Sequence, residues 1–346
     1  MNTAEAIKQL ASAADLSRHP VIELLGPQLQ ILEEELAGIG GPQPLDAMVA
    51  DLFAAGGKRL RALATMTVSR ALSVPDDVGR ALALAVESTH GASLLHDDVI
   101  DEADERRSRP AARKRWCNTL SVLGGDHLLL SGLRTVWSLG CAPLTEAHIE
   151  TLEVVLEAEV MQHTAREEWD TTTRNYLDIA RGKSGALFAH GCASPAIYVG
   201  QDALAAGLST YGMALGVAFQ IVDDLRDVLG LDPTKPNGLD LTDGVLSLPL
   251  RMAARRDPVV LEGLRAAGAG RLAAGEVQGI LARVRAGEAV ERSSRLAHAY
   301  LARANAAVAA IGLGEPLTPL AAVCGWLTRS VLSFREVRAE TAAAGE

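Results

Sequence analysis

Apolar residues recur at helical spacing through most of the 346-residue chain, with polar residues between them. The interruptions are short and rich in glycine and proline, at residues 38–44, 73–77, 108–110, 140–143, 231–238 and 312–319. Because short breaks join long helices in a bundle, this pattern predicts an all-α helical bundle.

The composition of the chain agrees with an all-α fold. Hydrophobic residues make up 48% of the chain and aromatic residues only 3%, a balance that favours helices over sheets. Nothing in the pattern divides the chain cleanly. We therefore expect residues 1–346 to form a single domain with a sizeable core.

The charge and cysteine content limit the partners of the chain. Its formal net charge is −10, whereas a general nucleic-acid-binding protein needs a basic surface, so we expect no nucleic-acid partner. The four cysteines stand far apart without metal-ligand spacing. This predicts neither a disulfide framework nor a zinc site, and it suits a reducing cytoplasm.

Three further segments bear on location and function. Residues 1–20 mix charges into their pattern and lack the apolar run of a signal peptide. The uncharged stretch 203–222 approaches the length of a membrane span, but glycines and polar residues interrupt it, so we expect a buried core helix and no transmembrane segment. Residues 251–310 predict surface-exposed helices to which no chemistry can be assigned.

Two aspartate-rich motifs carry the strongest chemical signal. Both have the form DDxxD, and their carboxylates are Asp97, Asp98 and Asp101 in the first motif and Asp223, Asp224 and Asp227 in the second. On a helix, the three carboxylates of a motif project from one face within about one turn. Such clustering is unfavourable without a cation, and oxygen ligands of this kind suit Mg²⁺. The motifs therefore predict a Mg²⁺ site.

A single acidic motif has a plain alternative, because acidic runs are usually solvated helix faces. Here there are two copies, and each follows an uncharged apolar run. This placement favours the mouth of a core over an outer face. We expect the two motifs to face each other across the bundle and to hold Mg²⁺ ions on a diphosphate.

Basic residues around the first motif could bind a diphosphate. Lys58 and Arg61 follow two glycines and are predicted to begin a helix, whose free N–H groups attract an anion. Arg106 and Arg107 come shortly after the motif, and arginine can bind phosphate oxygens bidentately. His90 lies two helical turns before the motif and could donate to a phosphate, although a lone helical histidine is more often structural.

A second set of polar residues accompanies the second motif. Lys183 and Ser184 precede a glycine inside a helical pattern, where a Ser-Gly pair can kink the helix and turn a carbonyl towards the cavity. The alternative is a glycine kept for close packing. Gln220 comes just before the motif and could present its amide to the reacting carbon, and Lys235 lies in a loop able to fold over phosphates.

Together these residues resemble the trans-polyprenyl diphosphate synthases. The matching segments are GGKRLR, LLHDDVIDEADERR, EVMQ, KSG, FQIVDDLRD and KPNGLDL, which occur in this order within about residues 50–250. The resemblance implies a helical bundle of the isoprenoid synthase type with a central apolar cavity, usually a homodimer. The whole chain would then be one polyprenyl synthase domain.

The resemblance also implies roles for individual residues. Isopentenyl diphosphate would be bound by Lys58, Arg61, His90 and Arg107. The allylic diphosphate would be attended by Arg106, Lys183, Ser184, Gln220 and Lys235, and the six aspartates would hold Mg²⁺.

The chain departs from the family pattern at two places. Where the family usually has RRG followed by Pro-Thr, this chain has RRSRPA at residues 106–111. Where the family usually has a lysine after the glycine of DLxxG, followed by Thr-Leu-Pro, this chain has Val245 and then SLP at residues 247–249. The missing lysine removes one expected cation beside the allylic diphosphate.

The implied reaction is ionisation followed by attack of an alkene. Cationic groups draw charge onto the leaving diphosphate, the allylic C–O bond ionises, and the alkene of isopentenyl diphosphate attacks the carbocation. The departing diphosphate is the expected base, and an apolar interior excludes water. Two alternatives stay open: a class I terpene cyclase on the same fold, and a non-catalytic partner subunit of a heteromeric synthase, in which eroded aspartate motifs would be expected.

Small residues before the first motif bear on product length. Ser93, Thr89, Ala85 and Ala81 form a row at four-residue steps, with Ala92 beside it. Each helical turn descends about 5.4 Å, so a bulky residue here would act as a floor for the growing chain. In the family, aromatic residues four or five positions before the motif are typical of short products. Their absence predicts a medium- to long-chain product, unless the small residues merely let another helix pack closely or another helix supplies the floor.

Overall fold

The structure, a computed structural model, describes residues 20–106, 109–165, 172–231, 238–314, 317, 320–321, 323–325 and 327. The described part of the chain is almost entirely α-helical, as the apolar pattern predicts. Its helices are α1 Pro20–Ala37, α2 Leu45–Ala54, α3 Leu60–Ala71, α4 Asp76–Ile100, α5 Ala112–Arg115, α6 Asn118–Ser138, α7 Ala142–Ala165, α8 Thr173–Ala180, α9 Ala186–Tyr198, α10 Asp202–Leu229, α11 Leu239–Thr242, α12 Leu248–Ala254, α13 Pro258–Gly268, α14 Ala274–Ala286 and α15 Ala289–Ile311.

Two kinds of short element, a π-helical segment and a pair of strands, lie between α-helices in the described residues. A π-helical segment, Arg181–Gly185, joins α8 to α9. Two strands, β1 Glu105–Arg106 and β2 Arg109–Pro110, pair antiparallel with Arg106 opposite Arg109. The strands lie where the sequence predicts a helix break. The other predicted breaks coincide with helix ends, except that residues 232–237 and part of 312–319 lie outside the described residues.

Contacts divide the chain into two compact units. The first unit comprises residues 1–153, 187–212 and 305–326, and the second comprises residues 154–186, 213–304 and 327–346. The expectation of one domain over residues 1–346 stays a prediction.

In the first unit, α4 packs against α3 and α6, and α1 packs against α2 and α4. One apolar cluster of this unit joins Leu82 and Ala85 of α4 to Val136 of α6 and Leu144 of α7. The tight packing of α4 fixes the helix that ends in the first aspartate motif.

In the second unit, α12 packs against α8 and α13, and α13 packs against α14. Val260, Leu264 and Leu281 of these helices are fully buried. The prediction that residues 251–310 are surface helices is therefore wrong for one side of each helix, because their apolar residues are spaced to form a buried stripe.

Helix α10 contains the uncharged stretch 203–222. Among the described residues it is the one helix long and apolar enough to cross a membrane, and 61% of its most apolar 18-residue window is buried. This burial agrees with the prediction of a core helix.

Candidate active site

The first aspartate motif lies at the C-terminal end of α4. Asp98 is only 1% exposed, whereas Asp97 and Asp101 are half-buried. Nε of Arg106 donates to Oδ1 of Asp98 at 2.6 Å, and the N–H of Ala112 donates to Oδ2 at 3.2 Å. Asp98 therefore ties the end of α4 to β1 and to the start of α5.

The second motif lies near the end of α10, and its middle carboxylate is also hydrogen-bonded to protein groups. Asp224 is 5% exposed and accepts hydrogen bonds from the hydroxyl of Tyr176 at 2.7 Å, Nε2 of Gln220 at 2.9 Å and the N–H of Leu248 at 2.9 Å. Burial raises the pKa of Asp224 to about 6, against the opposing effect of these donors. Asp223 is half-buried.

The last aspartate of the second motif holds a neighbouring helix. Oδ1 of Asp227 accepts the N–H of Leu239 at 3.0 Å, and Oδ2 accepts the N–H of Asp240 at 3.2 Å. These are free N–H groups in the first turn of α11, so the carboxylate satisfies donors that the short helix leaves open.

The six aspartates are thus not equivalent. Within the described residues, no group of three or more acidic, histidine or cysteine side chains is already arranged to hold a metal ion. The middle aspartate of each motif is buried and bonded to protein donors, whereas Asp97, Asp101 and Asp223 are half-buried.

The basic loop before α3 differs from the sequence prediction. Lys58 precedes the helix, which begins at Leu60, so only Arg61 lies in its first turn. Oε1 of Glu87, on α4, accepts the N–H of Ala62 at 3.3 Å. A carboxylate of the protein therefore already occupies part of the N-terminal end that the sequence suggested for an anion.

Arg59 anchors this loop, a role that sequence reasoning missed. Its backbone is left-handed, with φ 47°. Its Nε lies 2.6 Å from Oε1 of Glu33, and its Nη1 lies 3.2 Å from Oε2 of Glu87. Burial opposes the charge of Arg59, but the two carboxylates outweigh it and raise the pKa of the guanidinium. A usable signal was present, because Glu87 is the one charged residue in the stretch 81–96.

The remaining residues predicted for isopentenyl diphosphate have mixed outcomes. The guanidinium of Arg61 stacks on the ring of Phe188, 4.6 Å from its centroid. His90 is half-buried on α4, as the helical pattern predicts. Arg107 lies outside the described residues, as does Lys235 of the predicted allylic site.

Lys183 and Ser184 lie in the π-helical segment. The N–H of Ala186 donates to the carbonyl of Arg181, five residues back, so the regular α-helical hydrogen bonding is interrupted here. Oγ of Ser184 donates to Oε1 of Gln220 at 2.7 Å, and Nζ of Lys183 lies 2.9 Å from Oε1 of Glu159. The segment thus places its polar side chains among partners on α7 and α10.

Glycine makes the contact between this segment and α10 possible. A Cβ at Gly216 would lie 2.8 Å from the carbonyl oxygen of Ser184, which is too close for any larger residue without a shift. The two backbones can therefore approach until Ser184 reaches Gln220. A Cβ at Gly185 of the Ser-Gly pair would lie 2.5 Å from Sδ of Met213, which supports the close-packing interpretation, while the predicted kink stays a prediction.

A cavity in the second unit adjoins these residues. It is lined by Gln162, Ala165, Tyr176, Ile179, Ala180, Lys183, Gln220, Asp224, Val245, Leu246, Ser247 and Arg251. Three of the predicted site residues, Lys183, Gln220 and Asp224, therefore share one cavity.

The row of small residues on α4 serves helix packing at two of its positions. A Cβ at Gly132 of α6 would lie 3.1 Å from the carbonyl oxygen of Ala85 and 3.5 Å from Oγ1 of Thr89. Ala85 is fully buried and Thr89 nearly so, whereas Ser93 is half-buried. For Ala85 and Thr89, the structure supports the alternative that small residues let a neighbouring helix pack closely.

The geometry can be compared with known proteins. Residues 42–271 match the sequence profile of the family described as Polyprenyl synthetase. The chain belongs to the polyprenyl synthetase family. The predicted resemblance of the chain to the trans-polyprenyl diphosphate synthases is confirmed, and so is its assignment as a prenyltransferase.

Sequence similarity between this polyprenyl synthetase and its relatives covers most of the chain. It is 32% identical to "Heptaprenyl diphosphate synthase component 2" of Geobacillus stearothermophilus over 81% of this chain and 88% of the relative. It is also 32% identical to "Octaprenyl diphosphate synthase" of Escherichia coli over 66% of this chain and 71% of the relative.

Solved structures confirm the isoprenoid synthase fold. A decaprenyl diphosphate synthase from Rhodobacter capsulatus is similar at TM-score 0.82 and 29% identity, covering 90% of this chain and 98% of that one. A polyprenyl synthase from Caulobacter crescentus, described as complexed with calcium and isoprenyl diphosphate, is similar at TM-score 0.83 and 29% identity, covering 89% and 96%.

Proposed function

We propose that this polyprenyl synthetase condenses an allylic diphosphate with isopentenyl diphosphate to give a medium- to long-chain all-trans polyprenyl diphosphate. The observation that carries the proposal is the pair of intact DDxxD motifs, each fixed by its buried middle aspartate and each accompanied by cationic side chains in the same unit. The heptaprenyl, octaprenyl and decaprenyl names of similar proteins support the product class.

The carboxylate oxygens of the two aspartate motifs suit Mg²⁺ as ligands. This ion binds through one or two carboxylates together with waters and substrate phosphates, so it needs no complete protein cage. The half-buried Asp97, Asp101 and Asp223 meet that requirement, and we include Asp227, which also holds the first turn of α11. When bound, Mg²⁺ supplies charge neutralisation on the diphosphate. We include Asp98 and Asp224 in the metal site as positioning residues that hold each motif in place.

The first unit is proposed to bind isopentenyl diphosphate. Lys58, Arg61 and His90 supply a point charge, a planar guanidinium and a hydrogen-bond donor, with Arg107 as a further cation. Because Arg59 is held by Glu33 and Glu87, the loop that carries Lys58 is preorganised and less ordering is needed on binding.

The second unit is proposed to hold the allylic diphosphate. Lys183 provides positive charge, and Ser184 holds the amide of Gln220 beside the second motif. Lys235 completes the proposed set in this unit, whereas Arg106, which the resemblance also assigns to the allylic diphosphate, belongs to the first unit. Arg106 is bonded to Asp98, so its charge also supports the first motif.

The reaction balances without a redox step. The allylic C–O bond breaks with its electron pair on the diphosphate, and the resulting carbocation is attacked by the alkene of isopentenyl diphosphate to form a C–C bond. The new tertiary cation then loses a proton to the released diphosphate, which leaves a trans double bond. The protein residues position both diphosphates, and the apolar cavity expected from the fold would keep water from the cations.

We further propose that the protein is a homodimer and lies in the cytoplasm. On α6, Leu123, Leu130 and Trp137 are exposed at seven-residue steps, and Trp137 is 70% exposed. A stripe of this period fits a helix that packs against another helix. On α7, Ile149 and Leu156 are exposed at the same spacing. A second copy of the chain is the proposed occupant of the α6 stripe.

The name of the Geobacillus relative, a "component 2", supports a second candidate assembly. In that case the α6 stripe would bind a different subunit. The size and activity of the purified chain alone decide between the two: a dimer that elongates substrates supports self-assembly, and an inactive monomer supports a missing partner.

Labelled isopentenyl diphosphate with an allylic primer tests the function. Label in a longer diphosphate supports elongation, whereas a hydrocarbon formed without label would mean a terpene cyclase. Substitutions then separate the substrates: Lys58→Ala should raise KM mainly for isopentenyl diphosphate, and Lys183→Ala mainly for the allylic primer. Equal effects on both substrates would contradict this division.

A further inference from the structure

Arg251 of α12 is a buried cation without matching hydrogen-bond acceptors. Arg251 is 3% exposed, and neither its Nε nor its Nη1 has a hydrogen-bond partner among the described residues. Burial lowers the pKa of the guanidinium to about 10, so it stays charged at neutral pH. A buried charge with open donors is unfavourable, which indicates that something else can occupy those donors.

Arg251 lines the cavity of the second unit. The same cavity is lined by Lys183, Gln220 and Asp224 of the proposed allylic site. Ser247 also lines it, 3% exposed, and its Oγ likewise has no hydrogen-bond partner among the described residues. Ser247 and Arg251 are one helical turn apart, since the N–H of Arg251 donates to the carbonyl of Ser247.

The nearby carboxylate does not use up the donors of Arg251. Asp224 interacts with Arg251 through charge, but its oxygens accept from Tyr176, Gln220 and Leu248. The cavity therefore contains an arginine and a hydroxyl that can still donate. That combination suits the oxygens of a phosphate group.

Val245 lines the same cavity. It stands where the resembling family usually has a lysine beside the allylic diphosphate. We propose that Arg251, assisted by the hydroxyl of Ser247, binds a phosphate oxygen of the allylic diphosphate and supplies the positive charge that Val245 does not. This assignment rests on the proposed function for the identity of the ligand, and on the cavity for the binding of a phosphate.

Steady-state kinetics of Arg251→Met test the assignment, because methionine keeps an unbranched apolar stem in the cavity. The allylic KM should rise by about ten- to a hundredfold, the loss expected for a charge-assisted hydrogen bond, while the KM for isopentenyl diphosphate stays unchanged. Arg255→Met is the matched control, since Arg255 directly follows α12 and is exposed. It should leave both constants unchanged.

Restoring a positive charge at another residue that lines the cavity separates an effect on binding from an effect on folding. In the Arg251→Met background, Val245→Lys should recover most of the allylic KM. A purely structural Arg251 would not be replaced by a lysine at position 245. Unchanged allylic KM in Arg251→Met, or equal increases for both substrates, would overturn the assignment.

Two further measurements keep the assignment testable. Should Arg251→Met fail to fold, Arg251→Lys retains the charge but not the bidentate geometry, and its allylic KM should still rise, by about fivefold. Inorganic pyrophosphate with Mg²⁺ should raise the melting temperature of the parent more than that of Arg251→Lys. An equal rise refutes the phosphate contact, whereas a parent that binds pyrophosphate through Arg251 but elongates nothing refutes only the proposed function.

Discussion

Nε of Arg106 lies 2.6 Å from Oδ1 of Asp98, so a residue predicted to attend the substrate is bonded to one predicted to hold the metal. The bond joins β1 to the end of α4 and leaves Asp97 and Asp101 as the half-buried carboxylates of the motif. Asp224 has the same position in the second motif and is held in the same way, by other donors. Each motif therefore combines a fixed carboxylate with more accessible ones.

This difference predicts opposite effects for neighbouring substitutions. Asp98→Ala should lower the free energy of unfolding by about 2 kcal/mol, because Arg106 and the N–H of Ala112 lose a charged acceptor. Asp97→Ala should leave stability unchanged or slightly higher, because it relieves like-charge repulsion, while lowering kcat by orders of magnitude. Urea unfolding and turnover in Mg²⁺ measure the two. Similar destabilisation by both substitutions would refute the division, and full activity in excess chelator would refute the metal site.

The ion pairs of Arg59 should couple stability to substrate binding. Arg59→Met leaves the carboxylate of Glu87, whose side chain is 3% exposed, without its cationic partner, so we expect a loss of about 3–5 kcal/mol in urea unfolding. Adding Glu87→Gln should recover part of the loss, because it removes the unpaired buried charge. Glu33→Gln is the milder control, since Glu33 is more exposed.

The same variants test the positioning role of Arg59. Arg59 fixes the loop that carries Lys58, and Glu33→Gln removes the charge of one of its two ion-pair partners. Glu33→Gln should therefore raise KM for isopentenyl diphosphate several-fold and leave the allylic KM unchanged. An increase confined to the allylic substrate, or no change in either KM, would show that Arg59 contributes stability alone.

The fold and the principal motifs were predictable because they depend on local order along the chain. Apolar spacing fixes the helices, and DDxxD places three carboxylates on one helical face whatever the tertiary context. Side-chain partners were not predictable in the same way. Glu33 and Glu87 meet at Arg59 from helices distant in sequence, and the burial of Arg251 depends on how α12 packs. A charge inside an otherwise apolar run, as at Glu87 or Arg251, was the available signal for both.

A buried histidine pair predicts the acid limit of stability. Nδ1 of His148 on α7 lies 3.0 Å from Nε2 of His190 on α9, and both rings are buried. Burial lowers the pKa of His148 to about 4, and burial together with the charge of His148 lowers that of His190 to about 3. Both rings are therefore neutral in the folded protein near pH 5.

The sign of the pH effect follows from the unfolded chain. Its histidines have a pKa of about 6.5, so below that pH the unfolded state binds protons that the folded state does not, and stability falls as pH decreases towards 4. His148→Asn should reduce this loss by on the order of 2–3 kcal/mol in unfolding measured from pH 7 to 4. His163→Asn, at an exposed position of α7, is the control and should follow the parent. A parent-like slope in His148→Asn would refute the assignment.

Product length distinguishes the two ends of the small-residue row on α4. Ser93 is half-buried one turn before the motif, whereas Ala85 is fully buried in the cluster with Val136 and Leu144. We expect Ser93→Phe to leave the first condensation active and to shorten the products, because a ring there would act as a floor for the growing chain. Ala85→Phe should instead lower stability by about 1–3 kcal/mol through overpacking, without a selective effect on length. Product mass and urea unfolding measure both variants. If the parent stops at farnesyl diphosphate, or if Ser93→Phe leaves the product distribution unchanged, this face of α4 does not set the length, and the floor must come from another helix.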